Sequence, residues 1–350
     1  MTLTLQHALA LASPALAFAL SAAATRELIR RADAVGGLLD HPNARSLHRT
    51  PVPRSGGLAV AAGLAAAWLL LALGAWGAPA LAWIAAAALP VAAVSLLDDF
   101  GHVSRRVRLA IQSLAALIPI AGGLSWSALD LPGLDWRFPL PLAWALTLLY
   151  VVWMTNLYNF MDGMDGFAGG MAVCGFGALA ALGWQGGDPG FALAAAGIAA
   201  AAGGFLTGNF PPARIFLGDV GSSTLGMLAA GFSLWGAHAG LFPLWAAWLA
   251  FSPFIVDATW TLLARLARRE RVWEAHRSHH YQRLVLAGWG HRKTVLRAYL
   301  VMAGAAACAV AAPRLAPPDR WTLIVAWAAI YGLIHWRVSL AERQAAAQTP

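Results

Sequence analysis

The stretch Asn156-Leu-Tyr-Asn-Phe-Met-Asp-Gly-Met-Asp-Gly166 places two amides and two carboxylates at the end of an apolar run. Asn156, Asn159, Asp162 and Asp165 recur at three-residue spacing, and side chains that offer only oxygen to a cation suit a hard ion such as Mg²⁺ with the phosphates or hydroxyls around it. A plain polar loop between two helices is the alternative. Because such a loop needs no run of acids and amides at a membrane boundary, we favour a functional site.

Asp98 and Asp99 form a second acidic group, which is followed by Arg105, Arg106 and Arg108. Adjacent carboxylates repel each other, so a metal ion, a basic partner or a raised pKa must compensate for their charges. One of the two acids could bind Mg²⁺ while the other accepts a proton, and the sequence leaves open which is which.

The segment from Asn209 to Ser223 carries a third acid, Asp219, between glycines at the start of a predicted helix. The free amides of a helix N-terminus favour an anion such as phosphate. Phe216 either stacks on a base or packs at the membrane interface. Since three acidic groups are predicted on one face, a shared metal site is favoured over a simple helix-terminal role for Asp219.

Two further segments combine basic and imidazole side chains. In the first loop, Arg45, His48 and Arg54 are natural phosphate partners, although a basic loop without a ligand is an equal alternative. In the segment from His276 to Arg283, three histidines suit either Zn²⁺ or a phosphate. The neighbouring arginines would repel a cation, so we favour the phosphate. Asp257, inside an apolar run, is left without an assigned role.

The composition is that of a membrane protein with many spans. Of the 350 residues, 59% are hydrophobic and 11% are charged, and the mean hydropathy is +0.62. The formal charge of +8 reflects basic loops rather than nucleic-acid binding. Both cysteines lie in apolar runs, so neither a disulfide framework nor a thiolate metal site is indicated. No Walker A motif or dinucleotide-binding glycine motif is present.

Apolar windows of nearly membrane-spanning length predict an all-α helical bundle of about 11 transmembrane helices. They cover residues 7–25, 57–75, 79–97, 108–126, 138–156, 166–184, 190–208, 221–237, 241–263, 296–313 and 321–337. Assigning alternate loops to the cytoplasm puts all of the 24 Lys and Arg residues there except Arg137, Arg314 and Arg320. This positive-inside pattern predicts an outer N-terminus and a cytoplasmic C-terminus.

The same assignment puts the polar segments described above on the cytoplasmic side. We therefore expect one membrane domain, residues 1–350, with a catalytic face in the cytoplasm. Its cytoplasmic loops are predicted at about 26–56, 97–107, 157–165, 209–220 and 264–295.

Together, these segments resemble the polyprenyl-phosphate N-acetylhexosamine-1-phosphate transferases of glycosyltransferase family 4. The resemblance runs from about residue 40 to 285 and preserves the order of five motifs. The matching residues are His48-x-x-Pro51-x-Pro53-x-x-Gly56-Gly57, Asp98-Asp99, Asn156-x-x-Asn159-x-x-Asp162-Gly-x-Asp165-Gly166, Leu217-Gly-Asp219-x-Gly-Ser222 and His276-Arg-Ser-His279-His280.

The resemblance implies a Mg²⁺-dependent transfer of a sugar 1-phosphate from a UDP-HexNAc to undecaprenyl phosphate, with Mn²⁺ as a possible substitute metal. It implies a multi-pass protein of the bacterial inner membrane, and a homodimer is a further expectation from relatives. Direct transfer and a phospho-aspartyl intermediate both stay open. The implied metal ligands are Asp219 with Asp98 or Asp99. The candidate catalytic residues are Asp98, Asp99, Asp162, Asp165, His276, His279 and His280, and the candidate substrate-binding residues are Arg45, His48, Arg54, Asn156, Asn159, Asn209, Phe216, Arg277 and Arg283.

Within the family, the amino-acid sequences of the motifs more closely resemble those of the initiating transferases of O-antigen and other surface glycans. These enzymes use UDP-GlcNAc, UDP-FucNAc or UDP-QuiNAc as donor. The branch that makes the first lipid intermediate of peptidoglycan, with a phospho-MurNAc-pentapeptide substrate, is the first alternative. Its Lys-Gly-Thr-Pro-Thr-Met-Gly-Gly type of first loop differs from the segment Thr50–Gly57. A membrane transporter is the alternative from another class, and it predicts acids near the membrane midplane and two repeated halves.

Overall fold

A computed structural model of the chain describes residues 5–32, 38–40, 51–271 and 276–347. It is an all-α bundle, as the sequence predicts, and each apolar window coincides with a helix or a broken pair of helices. The helices are α1 (Leu5–Arg30), α2 (Gly56–Leu73), α3 (Pro79–Phe100), α4 (Arg105–Ala121), α5 (Leu140–Phe160), α6 (Phe167–Gln185), α7 (Pro189–Asn209), α8 (Gly218–His238), α9 (Leu244–Ala250), α10 (Ser252–Ala267), α11 (His280–Leu284), α12 (Gly290–Ala311) and α13 (Pro317–Ala347).

Short elements complete the fold. Two antiparallel ribbons pair β1 (Leu39–Asp40) with β2 (Val52–Pro53) and β3 (Ala128–Leu131) with β4 (Leu134–Arg137). A π-helical segment, Val285–Trp289, joins α11 to α12, and a 3₁₀ turn, Ala312–Arg314, follows α12.

The described part of the chain holds 8 helices that are long and apolar enough to cross a membrane, and 9 if α9 and α10, bent by 84°, form one span. Two of the eleven predicted spans, α4 and α8, are not among these helices. The helix α4 has only 17 residues and begins with Arg105 and Arg106, and α8 carries Asp219, Ser222 and Ser223 in its first two turns. The chain is therefore a multi-pass membrane protein, while the count of eleven spans and the orientation stay predictions.

Small residues let the N-terminal helices pack closely. A methyl group on Gly63 of α2 would lie 2.4 Å from the Ala17 carbonyl oxygen, and one on Gly204 of α7 would lie 2.5 Å from the Phe18 carbonyl oxygen. Both glycines therefore bring their helices against the backbone of α1. Such close backbone approach is how helices associate in lipid, where apolar burial supplies little driving force.

The helix α8 lies at the centre of the bundle, in contact with α2, α3, α5, α6 and α9. Nearly all of its residues from Val220 to Gly236 are buried. Phe232 packs against Phe176, Phe191 and Trp235 with ring centroids 5.3–6.1 Å apart. Because other helices surround α8, its polar first turns face protein rather than lipid.

Candidate active site

A cavity of about 230 Å³ lies at the N-terminal end of α8. It is formed where α3, α5 and α7 end and where α2, α6, α8 and α12 begin. Widely separated segments thus meet at one end of the bundle. The cavity is lined by these residues that the sequence analysis named: Arg54, Asp99, Asn159, Asp162, Asp165, Asn209, Phe216 and Asp219.

Asp99, which is only 2% exposed, closes the N-terminus of α8. Its Oδ1 accepts the backbone N–H of Asp219 at 3.1 Å, and its Oδ2 accepts the N–H of Val220 at 2.9 Å. A methyl group on Gly218, where φ is +74°, would lie 2.9 Å from Asp99 Oδ2. The glycine therefore permits both the left-handed turn and the close approach of the carboxylate. Asp99 stabilises the free amides of the helix, as a helix-terminal acid does.

Arg108, in the first turn of α4, forms ion pairs with both Asp98 and Asp219. Its Nη1 donates to Asp98 Oδ2 at 2.5 Å and to Asp219 Oδ2 at 2.9 Å. Asp98 Oδ1 also accepts the backbone N–H of Val103 at 2.8 Å, and Asp98 does not line the cavity. The compensating charge that the acidic pair requires is thus a basic partner. Arg108 is absent from the residues that the sequence analysis selected.

Asn159 lies between two groups of α8. Its Nδ2 donates to Asp219 Oδ1 and to Ser222 Oγ, each at 2.9 Å. Ser222 Oγ in turn donates to the Gly218 carbonyl oxygen at 3.0 Å. The Asp219 carboxylate is therefore held on both sides, by an amide and by a guanidinium, and its direction in the cavity is fixed.

Asp162 differs from these acids because its carboxylate has no hydrogen-bond or ion-pair partner among the described residues. It lies in the turn between α5 and α6 and faces the cavity. Burial raises its pKa well above the usual range, and the negative charges of Asp219 and Asp99 raise it further. A cation at this position would offset that cost.

Asp165 and Asn209 connect the segments that form the cavity. Asp165 Oδ2 accepts the backbone N–H of Ala213 at 3.0 Å, and Oδ1 lies 2.9 Å from His291 Nδ1. Asn209 Oδ1 accepts the N–H of Gly166 at 2.9 Å, and its Nδ2 donates to the Ile215 carbonyl oxygen at 2.8 Å. Both side chains line the cavity, but these bonds show that they also hold the surrounding segments together.

Asn156 is turned away from the cavity, although the sequence analysis selected it for substrate binding. Its Nδ2 donates to Gln112 Oε1 at 2.6 Å and to the Val152 carbonyl oxygen at 2.8 Å. One helical turn separates it from Asn159, yet only Asn159 points to Asp219. Asn156 thus ties α5 to α4.

The histidine cluster is organised by Asp257 of α10. His280 donates its backbone N–H to Asp257 Oδ1 at 3.0 Å, and its Nδ1 lies 2.9 Å from the same oxygen. His279 Nδ1 lies 3.5 Å from that oxygen, and His280 Nε2 lies 2.9 Å from His335 Nδ1 of α13. The acid that the sequence left without a role therefore anchors the two adjacent histidines.

The histidine cluster does not line the cavity, which differs from the role that the sequence analysis gave it. His276, His279, His280 and Arg277 are all absent from the cavity wall. Burial lowers the pKa of His276 to about 4, and the charges of His279 and Arg265 lower it further. His276 is therefore neutral near pH 7, so it brings no positive charge to a diphosphate.

Arg283 forms an ion pair and does not line the cavity. Its Nε donates to Glu342 Oε1 at 2.7 Å and its Nη2 to Glu342 Oε2 at 2.5 Å. One edge of the guanidinium, Nε and Nη2, thus holds the carboxylate side by side, and Nη2 also donates to Ser339 Oγ at 3.4 Å. The structure thus places Arg283 between α11 and α13 and outside the cavity wall, and its role in substrate binding stays a prediction.

The first loop reaches the cavity through Arg54. The N–H groups of Gly56 and Gly57 donate to the carbonyl oxygens of Phe216 and Leu217 at 2.9 and 2.7 Å, so Arg54 and Phe216 lie side by side. Arg54 Nη2 donates to the Asp99 carbonyl oxygen at 2.5 Å, while its buried Nε has no hydrogen-bond partner among the described residues. Arg45 and His48 lie outside the described residues.

The acids at this end of the bundle suit a metal that a substrate helps to hold. Among the described residues, no three His, Cys, Asp or Glu side chains converge on one point. Mg²⁺ needs only one or two carboxylates, because substrate phosphates and water complete its coordination. Asp219 and Asp162 fit this requirement. Asp98 fits it less well because it does not line the cavity, and Asp99 because both of its carboxylate oxygens accept the backbone N–H groups at the start of α8.

Sequence reasoning missed three residues that matter to this site: Arg108, His291 and Gln282. Arg108 was visible only as one of three arginines after the acidic pair. His291 and Gln282 both line the cavity, and His291 follows two left-handed glycines, Gly288 and Gly290. A histidine directly after such a turn is the one signal that could have singled it out.

A family profile described as Glycosyl transferase family 4 matches residues 81–237. This range contains the acidic pair, the turn with Asp162 and the start of α8. It ends before the histidine cluster.

Known relatives extend the similarity. A probable undecaprenyl-phosphate N-acetylglucosaminyl 1-phosphate transferase of Bacillus subtilis is 33% identical over 268 residues, which is 76% of this chain and 74% of that protein. A decaprenyl-phosphate N-acetylglucosaminephosphotransferase of Mycolicibacterium smegmatis is 30% identical over 88% of this chain and 83% of its own length. A phospho-N-acetylmuramoyl-pentapeptide-transferase of Geobacillus thermodenitrificans is 33% identical, but over only 50% of this chain and 53% of its own.

The matches to the first two relatives cover most of the chain, including the acidic groups that line the cavity. The chain belongs to glycosyl transferase family 4, among the polyprenyl-phosphate N-acetylhexosamine-1-phosphate transferases.

Proposed function

We propose that this protein transfers a HexNAc 1-phosphate from a UDP-sugar to undecaprenyl phosphate, releasing UMP and forming a lipid diphosphate-linked sugar. UDP-GlcNAc is the donor that we expect first, because the relatives that cover three quarters or more of this chain are named for N-acetylglucosamine. UDP-FucNAc and UDP-QuiNAc are the other candidate donors. The product would start an O-antigen or another surface glycan.

The observation that carries the proposal is the arrangement of charges at the start of α8. The carboxylates of Asp162 and Asp219 line one cavity with the Arg54 guanidinium. Phosphoryl transfer depends on neutralising and aligning anionic groups more than on covalent help from the protein. A cavity with both carboxylates for a cation and a guanidinium for phosphate suits that requirement.

In this reaction, a phosphate oxygen of undecaprenyl phosphate attacks the β-phosphorus of the UDP-sugar. The bond from that phosphorus to the bridging oxygen breaks, and UMP leaves with the oxygen. A phosphate monoester is already ionised near neutral pH, so the attacking group needs no strong base. The Arg54 Nε, which is buried without a hydrogen-bond partner among the described residues and lies 4.0 Å from Asp99 Oδ1, would donate to one of these phosphates.

Asp219 and Asp162 would hold Mg²⁺, with Mn²⁺ as a substitute, and the ion would neutralise the charge of the diphosphate. Asn159 and Arg108 fix the direction of the Asp219 carboxylate. Asp99 would then act by fixing the start of α8, and Asp98 by holding Arg108 next to Asp219. Phe216 offers an aromatic face in the cavity for the uracil base.

We further propose that the protein lies in the bacterial inner membrane with this cavity facing the cytoplasm. The positive-inside pattern supports this orientation. The donor is a water-soluble nucleotide-sugar, and the acceptor is a membrane lipid, so a site at the membrane boundary serves both.

The two alternatives receive less support. The pentapeptide transferase relative matches only half of this chain. A transporter would carry its acids near the membrane midplane. Here the acids lie at the ends of helices around one cavity, and the relatives are phosphosugar transferases.

The experiment that tests the proposal uses the purified full-length protein with Mg²⁺, undecaprenyl phosphate and a panel of UDP-sugars, and it follows UMP release. We expect UMP only when both the lipid and a UDP-HexNAc are present. Asp219→Asn serves as the inactive reference. Absence of UMP with every donor, from protein that stays folded, would contradict the proposal.

A further inference from the structure

His291, in the first turn of α12, lines the same cavity. Its side chain is 18% exposed, and its Nδ1 lies 2.9 Å from Asp165 Oδ1, where Asp165 is 12% exposed. The contact is at ion-pairing distance but is not an aligned hydrogen bond. The second carboxylate oxygen of Asp165 accepts the N–H of Ala213, so the acid is fixed and can orient the imidazole.

The position of His291 is determined by one face of α12. His291, Val295 and Tyr299 recur every four residues, so they share that face. Val295 is fully buried, and Tyr299 OH donates to the Gly166 carbonyl oxygen at 2.7 Å. This face of α12 therefore packs on the turn that carries Asp165, and the imidazole is held next to that acid.

Neither ring nitrogen of His291 has an aligned hydrogen-bond partner within the part of the chain that the structure describes, and both are buried. Buried polar atoms are nearly always paired in proteins, so an unpaired nitrogen in a cavity wall indicates a partner that binds there. Asp165 occupies the Nδ1 side. The Nε2 atom is thus the one that remains for a ligand.

We propose that His291 is a donor-positioning residue whose Nε2 forms a hydrogen bond to the UDP-sugar, with Asp165 orienting the ring. This inference rests on the proposed function and adds to it a residue outside the motifs. Gln282 and Phe216 line the same cavity with an amide and an aromatic ring. Such a wall suits the polar nucleoside or sugar of the donor, whereas an isoprenoid chain needs an apolar wall.

Two isosteric substitutions separate a ligand contact from a packing role. The amide of His291→Asn lies where Nδ1 was and keeps the contact to Asp165, but it leaves nothing in the place of Nε2. The longer His291→Gln puts its amide near the place of Nε2. His238→Ala, at the exposed far end of α8, is the control. Tyr299→Phe loosens the same helix face without removing a ring nitrogen.

We expect His291→Asn to raise the KM for UDP-GlcNAc about tenfold, the loss that follows from one hydrogen bond to a ligand. The KM for undecaprenyl phosphate and the kcat should stay near wild type. His291→Gln should recover most of the donor affinity, and His238→Ala should match the wild type. Calorimetry of UMP and UDP-GlcNAc binding gives a readout without turnover. Weaker UMP binding locates the contact on the nucleotide, and weakened UDP-GlcNAc binding alone locates it on the sugar.

Three outcomes would overturn the inference: an unchanged donor KM in His291→Asn, an increase confined to the acceptor KM, or an equal increase in Tyr299→Phe. The last would mean that His291 acts through the packing of α12. Wild-type protein that releases no UMP would contradict the proposed function instead, so the two failures are distinguishable.

Discussion

Asp99 Oδ2 accepts the backbone N–H of Val220 at 2.9 Å across 121 positions of the sequence. Through this bond and its equivalent to Asp219, the end of α3 fixes the start of the central helix. Asp98 and Asp99 therefore have different structural roles, although they are neighbours in sequence. Asp99 is 2% exposed and holds backbone amides, whereas Asp98 holds a guanidinium.

We predict that Asp99→Ala lowers stability more than Asp98→Ala does. Removing a helix-terminal carboxylate that accepts two backbone N–H groups should cost about 1–2 kcal/mol, and it leaves those amides buried without an acceptor. Thermal unfolding of purified protein in detergent, followed by tryptophan fluorescence, measures the difference. Equal midpoints for the two variants would contradict the structural role of Asp99.

We predict that Asp219→Asn abolishes transfer while the protein still folds. Loss of a carboxylate that holds a metal on the diphosphate should reduce kcat at least about a hundredfold, since such charge stabilisation is worth several kcal/mol. UMP release measures the rate, and Asp135→Asn in the exposed ribbon of β3 and β4 is the matched control. Near-normal turnover in Asp219→Asn would remove this acid from the metal site.

We predict that Mg²⁺ binds more tightly as the pH rises. Burial raises the pKa of Asp162 well above the usual carboxyl range. At low pH the acid is protonated, and Mg²⁺ must displace that proton. The affinity for Mg²⁺ is therefore highest at a pH above the raised pKa and decreases as the pH falls below it. Titration of Mg²⁺ at several pH values, with wild type and Asp162→Asn, tests this. A pH dependence that is the same in both proteins would argue against Asp162. A zinc-selective chelator should leave activity unchanged.

We predict that Arg283→Ala and Glu342→Ala behave alike. Each breaks the same partly exposed ion pair between α11 and α13, so each should cost about 0.5–1 kcal/mol of stability. The KM values for both substrates should stay within about twofold of wild type, as steady-state kinetics would measure. An increase in a KM for Arg283→Ala alone would restore the substrate-binding role that the sequence suggested.

We predict that the C-terminus lies in the cytoplasm. A reporter that is active only in the periplasm should be inactive when fused after Pro350, and a cytoplasmic reporter at the same position should be active. The basic residues near the end of α13, Arg337 and Arg343, support this orientation. The reverse result would require a different number of spans.

The sequence anticipated the helices and which of their ends carry chemistry. A run of nearly twenty apolar residues has one stable form in a bilayer, because only a helix pairs all of its backbone groups within the segment. Successive helices run in opposite directions, so polar segments at alternate connections meet at one end of the bundle. For this reason Asp99, Asn159, Asp162 and Asp219 were expected to converge, and they line one cavity.

The partners of these side chains could not be read in the same way. Asn156 and Asn159 are one turn apart, but Asn156 binds Gln112 while Asn159 binds Asp219. The direction of each side chain depends on how far α5 is rotated about its axis. No pattern of apolar residues specified that rotation, because α5 carries apolar residues on every side.

By itself, the sequence determined which segments form apolar helices, which segments carry acids and bases, and the family to which they are similar. These properties depend on local composition and on the order of residues. The tertiary structure alone decided that Arg108 neutralises Asp98 and Asp219, that Asp257 anchors the histidines, and that His291 reaches the cavity. Such pairs join residues far apart in the chain, and only the packing of one helix against another brings their atoms within hydrogen-bonding distance.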